Sequence, residues 1–190
     1  GSIGSELSRQ VATFQPLELH LLDNNESGLF DLAAELSGVS PQTIIKLWPA
    51  NVVDEQKVQD VFNHVRPHLV FHAAAYKHVP LMEEQNAWAA VRNNAWGTWV
   101  LARAAAEAGN SEAMVELGRF YRAGVGIKAD AVKAYVWFNR AAAAMNMEGV
   151  HERDIIGLKL SAEDLKAAQA ESLAAELESP ATAREALASD

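Results

Sequence analysis

The chain has 190 residues and a mass of 20.6 kDa, and its 16 Lys and Arg against 25 Asp and Glu give a formal net charge of −9. A hydrophobic fraction of 49% and a charged fraction of 22% exclude intrinsic disorder and collagen-like structure, and the length suits one ordinary domain or two small ones. The absence of cysteine excludes disulfides, zinc–thiolate sites and thiol nucleophiles.

Charge and hydropathy also limit the location and the partners. No apolar run reaches the ~18 residues of a membrane helix, and no secretory leader pattern is present. An acidic chain is a poor partner for phosphate backbones, so we expect no nucleic-acid binding. We therefore expect a cytoplasmic protein without a membrane segment.

Helices and strands alternate in the first part of the chain. Short apolar or β-branched runs between prolines and turn residues predict strands over residues 17–22, 43–48 and 68–74. Amphipathic spacing with capping and stop signals predicts helices over residues 5–14, 27–36, 54–65 and 83–107. This order predicts an α/β fold with a parallel sheet and right-handed crossovers.

After Gly109 alanine dominates and the strand signal ends. Helices are predicted over residues 111–122, 131–145 and 148–158, and a fourth begins at a capping box, Ser161 to Asp164. We therefore divide the chain into an α/β domain at 1–109, an all-α segment at 110–178 and a frayed tail at 179–190.

The start of the chain has the residues of a nucleotide-binding unit. Two glycines, Gly1 and Gly4, open a helix, and Asp23 stands nineteen residues after Gly4 at the end of a strand. Glycines let a pyrophosphate approach the helix N-terminus, and an acid after the next strand can bond a ribose hydroxyl. Taken alone, a cloning scar and an ordinary turn explain these residues as well.

Further motifs occur in the order and at the spacing found in a known superfamily. They are Gly1–Leu7, Leu21–Asp23, the run His72–Glu83 (HAAAYKHVPLME) and Val91–Asn94 followed by Gly97 and Thr98. Together they resemble the extended short-chain dehydrogenase/reductase superfamily, and within it the polysaccharide-biosynthesis branch of nucleotide-sugar 4,6-dehydratases. The resemblance covers residues 1–109 and implies a Rossmann-type, NAD- or NADP-binding fold.

The resemblance assigns roles to individual residues. Gly1 and Gly4 would be the second and third glycines of the phosphate loop, Asp23 would meet the adenosine ribose, and Asn94 would support the strand ends. Asn51 and Val52 would contact adenine, with Asn in place of the family's Asp. The implied cofactor-binding set is Gly1, Ser2, Ile3, Gly4, Asp23, Asn51, Val52, Ala73, Ala74, Ala75 and Asn94.

Lys77 and His78 would face a nucleotide-sugar. Without the resemblance, the alternative is that they lie in a solvated loop.

Two departures from the family pattern limit these expectations. The family's first strand and first glycine would precede Gly1, and in the strand order 3-2-1-4 that strand lies between those ending at Asp23 and Ala74. The segment with the family's Ser-Thr-Asp-Lys stretch and Tyr/Met-xxx-Lys helix has no counterpart after Gly109. We therefore expect an incomplete three-stranded domain, weakened cofactor binding and no catalytic residue. We expect the chain to be inactive by itself. A truncated gene or a gene fusion would explain the missing segments.

The second part has its own pattern, which runs through Ala113–Gly118, Phe120, Tyr121, Gly124, Gly126, Asp130, Lys133, Ala134, Trp137, Ala141 and Ala142. It resembles the Sel-one-like repeat, a relative of the tetratricopeptide repeat, with one full repeat, a degenerate second and a capping helix. Such repeats display surfaces to protein partners. A non-catalytic interaction module is therefore the alternative to a dehydratase fragment, and a helical cover for the sheet or a small bundle is equally open.

Two further patterns carry little functional weight. His64 and His68 have the i, i+4 spacing of metal ligands, but Pro67 interrupts the helix, so we predict no metal site. Trp88, Trp96 and Trp99 lie along one predicted helix, and we expect them to pack rather than to bind a ligand.

Overall fold

The computed structural model describes residues 1–75 and 87–177. The chain forms two compact units, Gly1–Ala104 and Ala105–Asp190, whereas the sequence places the division after residue 109. Lys77, His78 and the tail 179–190 lie outside the described residues. Within the described ranges, no helix combines the length and the hydropathy needed to cross a bilayer.

The first unit begins as an alternation of helices and strands. Its elements are α1 (Ser2–Thr13), β1 (Glu18–Asp23), α2 (Glu26–Val39), β2 (Ile44–Pro49), α3 (Glu55–Val65), α4 (Ala87–Val91), a π-helical segment (Arg92–Trp96) and α5 (Gly97–Glu107), which runs past the division between the units. Side chains define several ends: Asn25 Oδ1 accepts from Gly28 N at 3.0 Å, and Asp54 Oδ1 accepts from Lys57 N at 3.1 Å. Arg66 adopts a left-handed conformation (φ 50°) and ends α3 just before Pro67.

The two strands form a parallel sheet, in register from Glu18 opposite Ile44 to Asp23 opposite Pro49. Alternate strand side chains face α1 and α2 on one side, where they form the core. The core residues are Ala12, Leu21, Leu29 and Leu36, flanked by Leu19, Leu32, Ile45 and Leu47. At the surface the Arg9 guanidinium donates to both carboxylate oxygens of Glu35 at 2.6 and 3.0 Å, which joins α1 to α2 and lowers the pKa of Glu35.

The prediction of a third strand over residues 68–74 is wrong. This described segment has no strand pairing, and Leu69 and Phe71 are 77% and 58% exposed. A strand needs a hydrogen-bonded neighbour, and within the described residues β1 pairs only with β2. In the family's strand order another strand lies between β1 and the strand that corresponds to residues 68–74. Here these residues do not pair directly with β1. The sheet is therefore two-stranded, and the three-stranded Rossmann expectation is not confirmed.

The predicted packing of the tryptophans is confirmed for two of three. The rings of Trp96 and Trp99 stack with centroids 4.7 Å apart, and the Arg103 guanidinium lies 4.8 Å from the Trp99 centroid. Arg103 also pairs with Glu55 at 2.9 Å, which links α5 to α3. Trp88, by contrast, is 74% exposed.

The second unit consists of the helices α6 (Ser111–Ala123), α7 (Ala131–Ala143), α8 (Met147–Gly157) and α9 (Ala162–Leu177). α7 packs against the other three, with Phe138, Ala134 and Ala141 fully buried. Asn110, Asp130 and Asn146 cap the first three helices. At the fourth, Asp164 N donates to Ser161 Oγ at 3.1 Å, which is the N-cap half of the predicted capping box. The predicted helices are thus confirmed, with ends shifted by one or two residues.

A buried carboxylate joins α6 to α8. Glu152 accepts hydrogen bonds from Arg119 and Arg122, and Arg119 also bonds Glu116 and Glu148. Glu152 is 9% exposed, so its charge needs these partners to offset the cost of desolvation.

Two glycines let the helices of this unit approach closely. A Cβ at Gly118 would lie 2.5 Å from Phe138 Cε1, and a Cβ at Gly149 would lie 2.6 Å from Ala141 Cβ and 2.9 Å from the backbone nitrogen of Ala142. The expectation that Gly118 permits close helix contact is confirmed. Gly124 (φ 70°) and Gly126 (φ 73°) supply the left-handed turn before α7.

We expect Gly149→Ala to destabilise the second unit by about 1–3 kcal/mol, because α7 backbone would have to move to admit the methyl group. Urea unfolding followed by circular dichroism measures the change. Gly38→Ala is the control: it meets no atom within 4 Å in α2, so it should stabilise its helix by about 0.5–1 kcal/mol. Equal effects of the two variants would contradict the close-approach argument.

Candidate functional site

The N-terminus of α1 lies beside the end of β1. The α-amino nitrogen of Gly1 is 3.3 Å from Asp23 Oδ2, and Asp23 Oδ1 accepts from Asn25 N at 2.9 Å. The backbone of the turn after β1 therefore orients the carboxylate, and its second oxygen faces the start of α1. This brings together the predicted phosphate-loop residues and the predicted ribose carboxylate.

The start of α1 differs from the other helix starts. Its N-cap, Gly1, has no side-chain hydrogen bond to the first turn, whereas α2, α3, α6, α7 and α8 begin at an Asn or Asp that caps them. Ser2 and Ile3 are exposed in that first turn. A helix start without a side-chain cap leaves first-turn N–H groups for other acceptors.

The segment 73–75 lies next to this helix start. A Cβ at Gly4 would lie 3.8 Å from Ala73 Cβ, within ordinary van der Waals contact. Ala73, Ala74 and Ala75 are exposed. Small side chains at both positions thus leave the surface between them open.

Asn51 and Val52 follow β2 but differ in environment. Asn51 is exposed, and its Oδ1 accepts from Val53 N at 3.2 Å. Val52 is 5% exposed, and a Cβ at Gly97 would lie 2.8 Å from its Cγ1. The Val52 side chain therefore fixes this turn against the start of α5, and Asn51 presents the polar group.

Asn94 was predicted to support the strand ends, and its neighbour Asn93 is the residue that contacts the segment 73–75. Asn93 Nδ2 lies 3.5 Å from the Ala74 carbonyl oxygen and donates to Asn94 Oδ1 at 3.2 Å. The two asparagines lie in the π-helical segment, which adds a residue to one turn and rotates side chains away from α-helical positions. Sequence periodicity assumes an α-helix, so it missed Asn93.

A second contact that the sequence reasoning missed joins the same two segments. His72 Nε2 lies 3.1 Å from Thr98 Oγ1, and desolvation lowers the pKa of His72. The Thr98 hydroxyl also donates to the Asn94 carbonyl oxygen. These bonds connect the segment before Ala73 to the start of α5 and to the π-helical segment that precedes it.

The two histidines of the metal-like spacing are not on one helix. α3 ends at Val65, and His64 packs edge-on against Trp48 with ring centroids 5.7 Å apart, whereas His68 lies beyond the left-handed Arg66. In the described part of the chain, no three His, Asp or Glu side chains are grouped closely enough to hold a metal ion.

Comparison with known proteins identifies the family. The model of the polysaccharide biosynthesis protein family matches residues 1–117, more than half of the chain. The chain therefore belongs to the polysaccharide biosynthesis protein family.

Two relatives are similar over the same part. The probable polysaccharide biosynthesis protein EpsC of Bacillus subtilis (strain 168) is 43% identical over 106 residues, which are 55% of this chain and 18% of that protein. The capsular polysaccharide biosynthesis protein CapD of Staphylococcus aureus is 42% identical over 109 residues, 56% of this chain and 18% of that protein. The matched segment thus spans less than a fifth of either relative.

Among solved structures, a protective antigen present in uropathogenic Escherichia coli strains, c5321, is described as displaying an SLR fold. It aligns with 94% of this chain and 39% of its own, with 21% sequence identity and a TM-score of 0.47.

We expect Gly97→Ala to destabilise the first unit by about 1–3 kcal/mol, because the added methyl group would overlap Val52 Cγ1. Combining it with Val52→Ala removes the obstructing atom, so the double variant should lose less stability than the sum of the single variants. Denaturant unfolding of the four proteins gives the coupling energy, and strict additivity would contradict the contact.

Proposed function

We propose that the first unit is the NAD(P)-binding part of a nucleotide-sugar 4,6-dehydratase-type protein of polysaccharide biosynthesis. The observation that carries this proposal is the uncapped start of α1 beside the Asp23 carboxylate, in a chain of the polysaccharide biosynthesis family. Glycine-rich helix starts bind pyrophosphate through backbone N–H groups and the helix dipole.

The residues at this edge fit a dinucleotide. The first turn of α1 would hold the pyrophosphate, and a remaining lone pair of the Asp23 carboxylate would accept a hydrogen bond from a ribose hydroxyl. Asn51, at the carboxyl edge of the same parallel sheet, offers an amide to adenine. Ala73, beside Gly4, would let the nicotinamide half pass without a steric obstacle.

The charge of Asp23 favours one of the two cofactors. A carboxylate accepts from the 2′-hydroxyl of NAD but repels the 2′-phosphate of NADP. No arginine is placed at the turn after β1, where Asn24 and Asn25 follow Asp23. We therefore assign NAD as the preferred cofactor.

The proposed reaction places limited demands on this chain. A bound nicotinamide would supply reversible hydride acceptance for a reaction in which the sugar is oxidised at carbon 4 and loses water across carbons 5 and 6. The residues of this chain would hold the dinucleotide, and Lys77 and His78 would face the nucleotide-sugar. We assign no proton-transfer residue within the chain.

Saturating NAD should raise the melting temperature of the 190-residue chain by about 3–6 °C, since ligand at ten times its Kd adds about 1.4 kcal/mol. NADP should raise it less, because Asp23 repels the additional phosphate. Differential scanning fluorimetry with each cofactor measures both shifts, and isothermal titration calorimetry gives the affinity.

The matched variants for this test are Asp23→Asn and Asp31→Asn, which remove one carboxylate charge at and away from the proposed ribose contact. The first should lose most of the NAD shift and the preference over NADP, and the second should keep both. No shift at millimolar NAD, or equal shifts in the two variants, would overturn the assignment.

A second function, display of a protein-binding surface by the Sel-one-like segment, is favoured by apolar side chains at the turns between its helices. Met145, Met147 and Leu158 are largely exposed there, Leu158 to 90%. Contiguous exposed apolar patches on soluble proteins mark sites of protein interaction.

The test compares two lysine substitutions at equally exposed leucines. Leu158→Lys should remove a protein that co-purifies with the full chain, whereas Leu17→Lys, at an 87% exposed residue of the first unit, should retain it. Purification by affinity tag with quantitative mass spectrometry measures both. If the two variants retain the same proteins, the interaction function is wrong.

A further inference from the structure

The face of the sheet opposite α1 and α2 carries a polar cleft that the proposed cofactor site does not use. It has a volume of about 590 Å³, a size typical of small-molecule sites, and lies between the two strands and the end of α3. Its lining consists of Glu18, His20, Lys46, Leu47, Trp48, His64 and Val65.

A chain of hydrogen bonds fixes the aromatic part of the cleft. Trp48 Nε1 donates to His20 Nδ1 at 3.0 Å, and His20 Nε2 lies 2.8 Å from Glu18 Oε2. Because the indole nitrogen can only donate, His20 Nδ1 must accept, and Nε2 must carry the proton that is donated to Glu18. The tautomer is thus determined, and both rings are held in place.

The His20 and Trp48 rings form a flat aromatic platform, and the His64 ring stands at an angle to it. The His20 and Trp48 rings lie 20° from parallel with centroids 6.2 Å apart, and His64 meets Trp48 at 66°. A planar, aromatic ligand group can stack on such a surface, because offset-stacked rings attract beyond their buried area.

Besides the carboxylate of Glu18, the cleft has a cationic side chain, Lys46. The bonds above engage an oxygen of Glu18 and the acceptor nitrogen of His20. Lys46, opposite His20 in the register, has no ion pair among the described residues. Its ammonium is therefore available to an anion at the edge of the aromatic platform.

We propose that this cleft binds a small planar aromatic anion, with the ring against Trp48 and the negative group at Lys46. The proposal is independent of the cofactor assignment, because Asp23 and the start of α1 do not line the cleft. Glu18 is the group that opposes an anion here, so its neutralisation should strengthen binding.

Four small-molecule probes distinguish the contribution of the aromatic ring to binding from that of the negative charge. Benzoate and phenyl phosphate carry both, benzamide lacks the charge, and cyclohexanecarboxylate lacks the planar ring. We expect either aromatic anion to shift the Trp48 indole N–H resonance of the full chain at millimolar concentration, with benzamide and cyclohexanecarboxylate binding more weakly. The resonance is assigned by its loss in Trp48→Phe, and ¹H–¹⁵N correlation spectra measure each titration.

Substitutions then test the charge. Lys46→Gln should weaken benzoate binding by up to about fivefold, the upper end for an exposed ion pair, and Glu18→Gln should strengthen it. Lys57→Gln, on an exposed part of α3 outside the cleft, should change nothing. The proposal is overturned if neither aromatic anion shifts Trp48, if benzamide binds as well as benzoate, or if Lys46→Gln and Lys57→Gln behave alike.

Discussion

The first unit depends on the parallel pairing of β1 with β2, in which Asp23 stands opposite Pro49. Because both strands run in the same direction, the turns after them meet at one edge, and the start of α1 returns to that edge beside Asp23. The same register sorts the side chains by face: Leu21 and Leu47 contact the helices, and His20 and Trp48 face the opposite side. The backbone hydrogen bonds between β1 and β2 thus position both the residues of the candidate cofactor site and those of the aromatic cleft.

Small residues determine how closely the other helices and turns approach one another. Gly97 admits Val52, which fixes the turn carrying Asn51, and Gly4 lies beside Ala73 at the start of α1. In the second unit Gly118 and Gly149 have the same role between helices. Backbone proximity, rather than long polar side chains, positions the groups of the candidate site, which suits a ligand bound mainly through main-chain amides.

Local signals allowed the helices to be predicted from the sequence, because caps such as Asn25, Asp54 and Ser161 act within three residues. Residues 68–74 were predicted as a strand from composition alone, yet strand formation requires a partner that composition cannot supply. The role of Asn93 depends on a π-helical turn, which α-helical periodicity does not show. The cleft was missed because its central bond joins residues 28 positions apart, Trp48 and His20, in a register that only the folded sheet defines.

The unpaired segment around Leu69, Val70 and Phe71 has a consequence for the life of the protein in a cell. Its side chains are apolar and exposed, and among the described residues it has no strand pairing. Stretches of this kind are bound by molecular chaperones and start intermolecular β-aggregation. Pairing of this stretch with a further strand or a partner would therefore lower the tendency of the chain to aggregate.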